Sequence, residues 1–196
     1  MGRHREFDID EALGAALTVF WQKGYEGTSF ENLTQATGVA RPGLYAAFGN
    51  KEALFRRALD RYERDYLGFM QEALSAPTAR QVVERTLMGC AELHTRYEAT
   101  RGCLGINGAM ACSDDSESIR HELAVRRNAS QDALRKRLER AKKDKDLPAS
   151  ADCAALAAFV MAVSQGMAVQ AKAGASRKLL EGIARHVVST WPTGDE

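Results

Sequence analysis

The chain has 196 residues, 45% of them hydrophobic and 27% charged, with a formal net charge of +1. That is the composition of a folded globular chain and not of a disordered one, and it leaves no overall basicity for holding nucleic acid, so such a role must rest on a local patch. The longest unbroken apolar run, residues 153–163, is too short to cross a bilayer. The charged start "MGRHREFDID" shows no apolar signal segment, so the chain reads as cytoplasmic with no membrane partner. Its four cysteines, Cys90, Cys103, Cys112 and Cys153, form no CxxC pair and no zinc-ribbon spacing; free thiols are the simplest reading, with no metal and no cofactor.

Helix formers dominate throughout, and strand-like alternation is absent, so an all-α fold is expected. A first helix starts near Asp8, which caps it with Glu11 as its capping-box partner, and ends at Gly24. Ile9, Leu13, Ala16, Leu17 and Phe20 recur on one face. In "TSFENLTQATG" a second short helix is capped by Thr28 and Glu31, turns Phe30 and Leu33 inward and stops at Gly38. A third, over residues 41–48, begins "RPG" and stops at Gly49. Asn50 caps a fourth, continuous over 51–74. Short helices joined by a glycine turn make a helix-turn-helix unit. The expected division is a head over residues 1–50 and a larger helical body over residues 51–196. In the body, Pro77 opens a helix running to about Tyr97, "RGCLGINGAMACSDD" is irregular, and residues 116–143 form a long charged helix stopped before Pro148. Helices over 150–173 and 176–191 close the chain.

The third helix raises a chemical question. Arg41 at its start and Tyr45 on the same face are nearly its only polar groups, although a helix that merely covers a core is hydrophilic outside. A major groove needs just such a face: a donor for base edges, with the surrounding phosphates supplying the charge. The stretches "GYEGTSFENL", "TGV" and "LYAAFGNKEALF" within residues 5–56 resemble the DNA-binding domain of TetR/AcrR-type transcriptional repressors. The resemblance implies a homodimer that binds a near-palindromic operator in double-stranded DNA and is released by a small-molecule effector. On it, Arg41 reads a base, Tyr45 reaches a phosphate, and Thr28 and Lys51 act as backbone clamps. Pro42 and Gly43 lie in the same interface, where Gly43 brings backbone close to DNA in place of the hydroxyl that relatives often carry there. Arg3 and Arg5 resemble the arms that enter a minor groove.

For the effector, Met88, Tyr97, Cys103, Leu104, Ile106, Asn107 and Met110 are the candidate lining, with Asn107 as the orienting polar group. Rival readings make Cys103 a thiol sensor, supported by the nearby Arg101, or leave the protein a DNA binder without small-molecule input. Cys90 and His94 stand at i, i+4 as two of the ligands a metal would need, and a satisfied helical histidine is the preferred reading. The dimer contact is expected from the apolar stripe Leu156, Phe159, Val160, Val163 and Met167, continued by Leu180, Ile183 and Val187. The chain carries no P-loop, GxGxxG after a strand, nucleophile elbow or HExxH, and no enzymatic role is expected.

Overall fold

A computed structural model of the chain describes residues 7–108 and 116–194, and all the regular structure among them is helical. Arg3, Arg5, Met110 and Cys112 lie outside the described residues. The head consists of α1 (Ile9–Lys23), α2 (Phe30–Thr37) and α3 (Arg41–Phe48). Asp8 caps α1 by accepting from the Asp10 and Glu11 amides. The cap of α2 is Ser29 and not Thr28: Ser29 and Asn32 exchange side-chain-to-backbone bonds. Leu33, Leu44 and Phe48 are buried with Leu17 and Phe20, so each short helix is held by its apolar side rather than by its own length.

The expected continuous helix over 51–74 is broken. α4 (Lys51–Tyr66) ends at Leu67, and α5 (Gly68–Leu74) sets off separately. α6 (Ala79–Thr95) is capped by Thr78, which leaves Pro77 ahead of the helix instead of in its first turn. The ring of Phe69 on α5 lies where a Cβ at Gly89 of α6 would stand, so the missing side chain of Gly89 lets the two helices close. A 3-10 turn (Glu98–Thr100) and the short α7 (Leu104–Asn107) occupy part of the irregular segment. Then follow α8 (Glu117–Lys143), α9 (Cys153–Lys172) and α10 (Arg177–Ser189).

Two hydrophobic clusters result. One joins α6, α8, α9 and α10 around Leu87, Leu138, Val160 and Leu180. The other is the head core, and it extends beyond the head to Leu93, Leu104, Ile119 and Leu123. Head and body therefore share packing. The seam between them is built from specific bonds. The Trp21 indole donates to the Gly102 carbonyl (3.0 Å), Asn107 donates to the Trp21 carbonyl (3.0 Å), and the Lys172 ammonium donates to Gln22 (2.6 Å). Gly24, with φ +72°, ends α1 where a Cβ would stand 2.8 Å from the Asn107 carbonyl, so both its backbone conformation and the close approach of α7 require glycine.

Candidate functional site

On the outer side of the head, Arg41 and Tyr45 point away from the core. The Arg41 guanidinium donates to the Tyr45 hydroxyl at 3.1 Å and lies 4.5 Å from the centre of the Phe30 ring. Phe30 and Tyr45 stack with centroids 4.9 Å apart. Phe30, expected inside, is thus a half-buried platform that holds both polar groups, and the cue for it would have been an aromatic one turn-length away across the glycine turn. Pro42 is exposed in the first turn of α3. A Cβ at Gly43 would stand 2.9 Å from a Val39 methyl and 3.5 Å from Phe7, so packing inside the head accounts for this glycine. The Lys51 ammonium sits 4.4 Å over the Tyr25 ring at the start of α4, half-buried, and burial lowers its pKa against the raising effect of Glu26. Thr28 is 1% exposed and its hydroxyl donates to the Gly24 carbonyl (2.6 Å), so its side chain serves the turn and is not presented as a clamp.

In the body, a cavity of about 520 Å³ opens among α4, α5, α6, α7, α8 and α9. Of the expected lining among the described residues, only Cys103 and Ile106 face it. Met88 packs against the body core, Leu104 is fully buried, Tyr97 lies 41% exposed beside Trp21 and Tyr66, and Asn107 is engaged at the seam. The residues that do line the cavity include Tyr62, Phe69, Cys90, Leu93, His94, Leu123, Arg127, Met161, Ser164 and Gln165. Tyr62 contacts the Cys103 thiol at 3.5 Å; burial, then that thiol, pushes its phenol well above the ordinary range, so it stays a neutral donor. Cys90 shares a hydrogen bond of 3.2 Å with Ser164, and burial pushes its thiol up to about 12. His94 is 3% exposed and, contrary to the expectation of a satisfied histidine, its Nδ1 has no hydrogen-bond partner; burial pushes the imidazole down to about 4. Among the described residues, no group of three or more side chains is placed to hold a metal. Arg101 is committed to the carbonyls of Ala171 (2.8 Å) and Ala175 and to Glu98, which takes away its suggested support for a reactive Cys103.

The charged groups at the cavity's edge are mostly spoken for. Arg126 pairs with Asp60 (2.8 Å), Glu63 (2.8 Å) and Glu122 (2.6 Å) and so ties α8 to α4. Burial weakens the Arg126 charge, but these carboxylates outweigh it and raise its pKa.

The outer face of α9 and α10 agrees with the stripe expected to form the dimer contact at Phe159 and differs from it elsewhere. Val160, Met167, Leu180 and Val187 are interior core, and Leu156, Val163 and Ile183 are half-buried at its margin. What faces outward is Phe159 (49% exposed), Val169 (42%) and Leu179 (52%) among small residues such as Ala155, Ala158, Ala162 and Gly166. α9 as a whole is long and apolar enough by composition to cross a membrane, yet its inner side is built into the protein core.

An all-helical chain with a three-helix head, a stacked Arg–Tyr–Phe cluster on the outward side of its third helix and a separate cavity in its body belongs to the class of helix-turn-helix regulators. Residues 12–58 match the model of the tetR family of bacterial regulatory proteins, and residues 80–187 match the C-terminal domain described as tetracyclin repressor-like. The chain is a member of the tetR family. It is 35% identical over 193 residues to the HTH-type transcriptional repressor ComR of Escherichia coli K12, covering 97% of this chain and 92% of that one. It is 36% identical over 104 residues to the repressor BdcR of the same strain, covering 53% and 52%. Among solved structures it resembles a cysteine mutant of the TetR family regulator CifR complexed with 26 bp double-strand operator DNA, with TM-score 0.92 and 39% identity over 97% of this chain and 100% of that one.

Proposed function

We propose that this protein is a transcriptional repressor that binds operator DNA as a homodimer through α3 and leaves it when a small molecule occupies the body cavity. The observation that carries the reading is the Arg41–Tyr45–Phe30 cluster, an outward and carboxylate-free donor array on the third head helix. The likeness to an operator-bound regulator over nearly the whole chain supports it. The exposed apolar face around Phe159 supports a second copy, because exposed apolar surface of this kind marks association. Release follows from the seam. Cys103, Gly105 and Ile106 touch the cavity, while Gly102 and Asn107 of the same segment bond to Trp21 of α1. A ligand that favours a shifted segment therefore favours a shifted head, and two heads that no longer face successive major grooves, about 34 Å apart, lose their operator together. The experiment is gel retardation of the DNA upstream of the protein's own gene, with light scattering in parallel. Wild type is a dimer that retards the fragment, and Phe159→Glu is a monomer that does not. A monodisperse wild-type monomer, or a dimer that ignores that DNA, overturns the reading.

A further inference from the structure

Two residues that line the cavity each carry a buried polar atom that no protein group satisfies. One is His94 Nδ1 on α6 and the other is an Nη1 nitrogen of Arg127 on α8. Native proteins rarely leave such atoms unpaired, and each carries a desolvation cost unless something binds it. The two differ in charge. His94 is neutral, since burial holds its imidazole far below the ordinary range. Arg127 carries a full positive charge. The other cavity charges are matched: Arg64 pairs with Asp65 (2.8 Å), and Glu63 pairs with Arg126. Among the described residues Arg127 has no ion pair, so the cavity presents one uncompensated cation in a wall that combines the apolar Phe69, Leu93, Leu123 and Met161 with polar groups such as Gln71, Ser164 and Gln165.

We infer that the effector is a monocarboxylate with an apolar body, its carboxylate paired to Arg127. The inference rests on the reading of this cavity as the effector site and names what that site takes. A carboxylate is the group that a guanidinium binds best, through paired N–H donors. It meets the Arg127 guanidinium at the wall of the cavity. A neutral alcohol satisfies the nitrogen but leaves the charge unmatched, and a cationic ligand is repelled. The volume of about 520 Å³ is that of a drug-sized pocket and admits a ligand of medium chain length.

Calorimetric titration with decanoate and decan-1-ol tests the assignment, the two probes sharing their chain and differing in the head group. Wild type binds decanoate at least tenfold more tightly than decan-1-ol. Arg127→Gln loses that preference while its affinity for decan-1-ol stays within twofold, and Arg127→Lys, which keeps the charge, retains the preference at reduced affinity. Thermal melts establish that the variants are folded; if Arg127→Gln is not, the Arg127→Lys comparison and the wild-type preference decide. Equal binding of the two probes to wild type, no binding of decanoate up to millimolar concentration, or undiminished decanoate binding by Arg127→Gln overturns the inference. Operator release is measured separately. Arg127-dependent binding of decanoate without release upholds the ligand class and sinks the effector reading, whereas release by decan-1-ol as readily as by decanoate does the reverse.

Discussion

Arg41 and Arg127 make an instructive pair. Neither has a carboxylate partner among the described residues, but Arg41 stands in water on the head, whereas Arg127 is a half-buried residue of the cavity wall with one buried nitrogen. Water solvates the first, so leaving it unpaired costs little, and stacking on Phe30 and Tyr45 limits where it points. The second is half-buried, with one nitrogen that has neither water nor an acceptor. An exposed cation suits a polyanion that arrives with counterions to shed, so binding there weakens steeply with salt. A cation on a cavity wall suits one small anion, and a single ion pair there responds less to salt than a row of phosphate contacts. The same residue type is thus prepared for two partners by burial alone.

The largest effect that would sharpen this contrast comes from His94, the other buried polar group of the cavity. Its pKa is about 4 in the folded chain against an ordinary 6.5, so the unfolded chain binds the extra proton between those values. Stability from this group is whole above pH 6.5 and falls as the pH drops toward 4, by about 3 kcal/mol in all. Urea unfolding of wild type and His94→Gln across that range is expected to show the wild-type advantage shrinking toward acid. A constant gap would mean that the imidazole is not desolvated. Next in size, Arg41→Ala is expected to cost about 1–3 kcal/mol of operator affinity and to relax one position in each half-site, with the melting temperature and decanoate binding unchanged. Undiminished operator binding by this variant would remove Arg41 from the groove. Smallest is Lys51→Ala, expected to weaken all DNA sequences alike and to lower the salt slope by about one charge, as measured by retardation at several salt concentrations. A change of sequence preference would instead make Lys51 a base reader.

The head was legible because glycine punctuates it. Gly38 and Gly49 bracket α3, and the short apolar periods leave one way for Leu33, Leu44 and Phe48 to turn. Thr28 misled because Ser29 beside it offers the same capping chemistry and wins the geometry. The cavity was barely legible. Spacing places residues on helix faces but does not distinguish a face that meets another face from one that meets a space, so only Cys103 and Ile106 were found. Arg127 was overlooked because α8 is charged along its length and such a helix reads as solvated. α9 hid its orientation for the opposite reason: with alanines all round, its inner and outer sides differ little in hydrophobicity, and apart from Phe159 the expected stripe falls on buried or half-buried positions. The break at Leu67 had a cue in Gly68, which weakens a helix that the preceding charged run would otherwise continue.

Trp21 gives the seam an optical signature. Its indole is 2% exposed, donates to the Gly102 carbonyl and meets the rings of Tyr62 and Tyr66 edge-on at 4.7 and 5.0 Å. The chain has two tryptophans, and replacing Trp191 with Phe leaves this indole as the lone red-edge fluorophore. Its emission maximum and its quenching by acrylamide then follow the packing of α1 against α4 and the 97–107 segment, so the opening of that junction becomes visible in a cuvette without label or crystal.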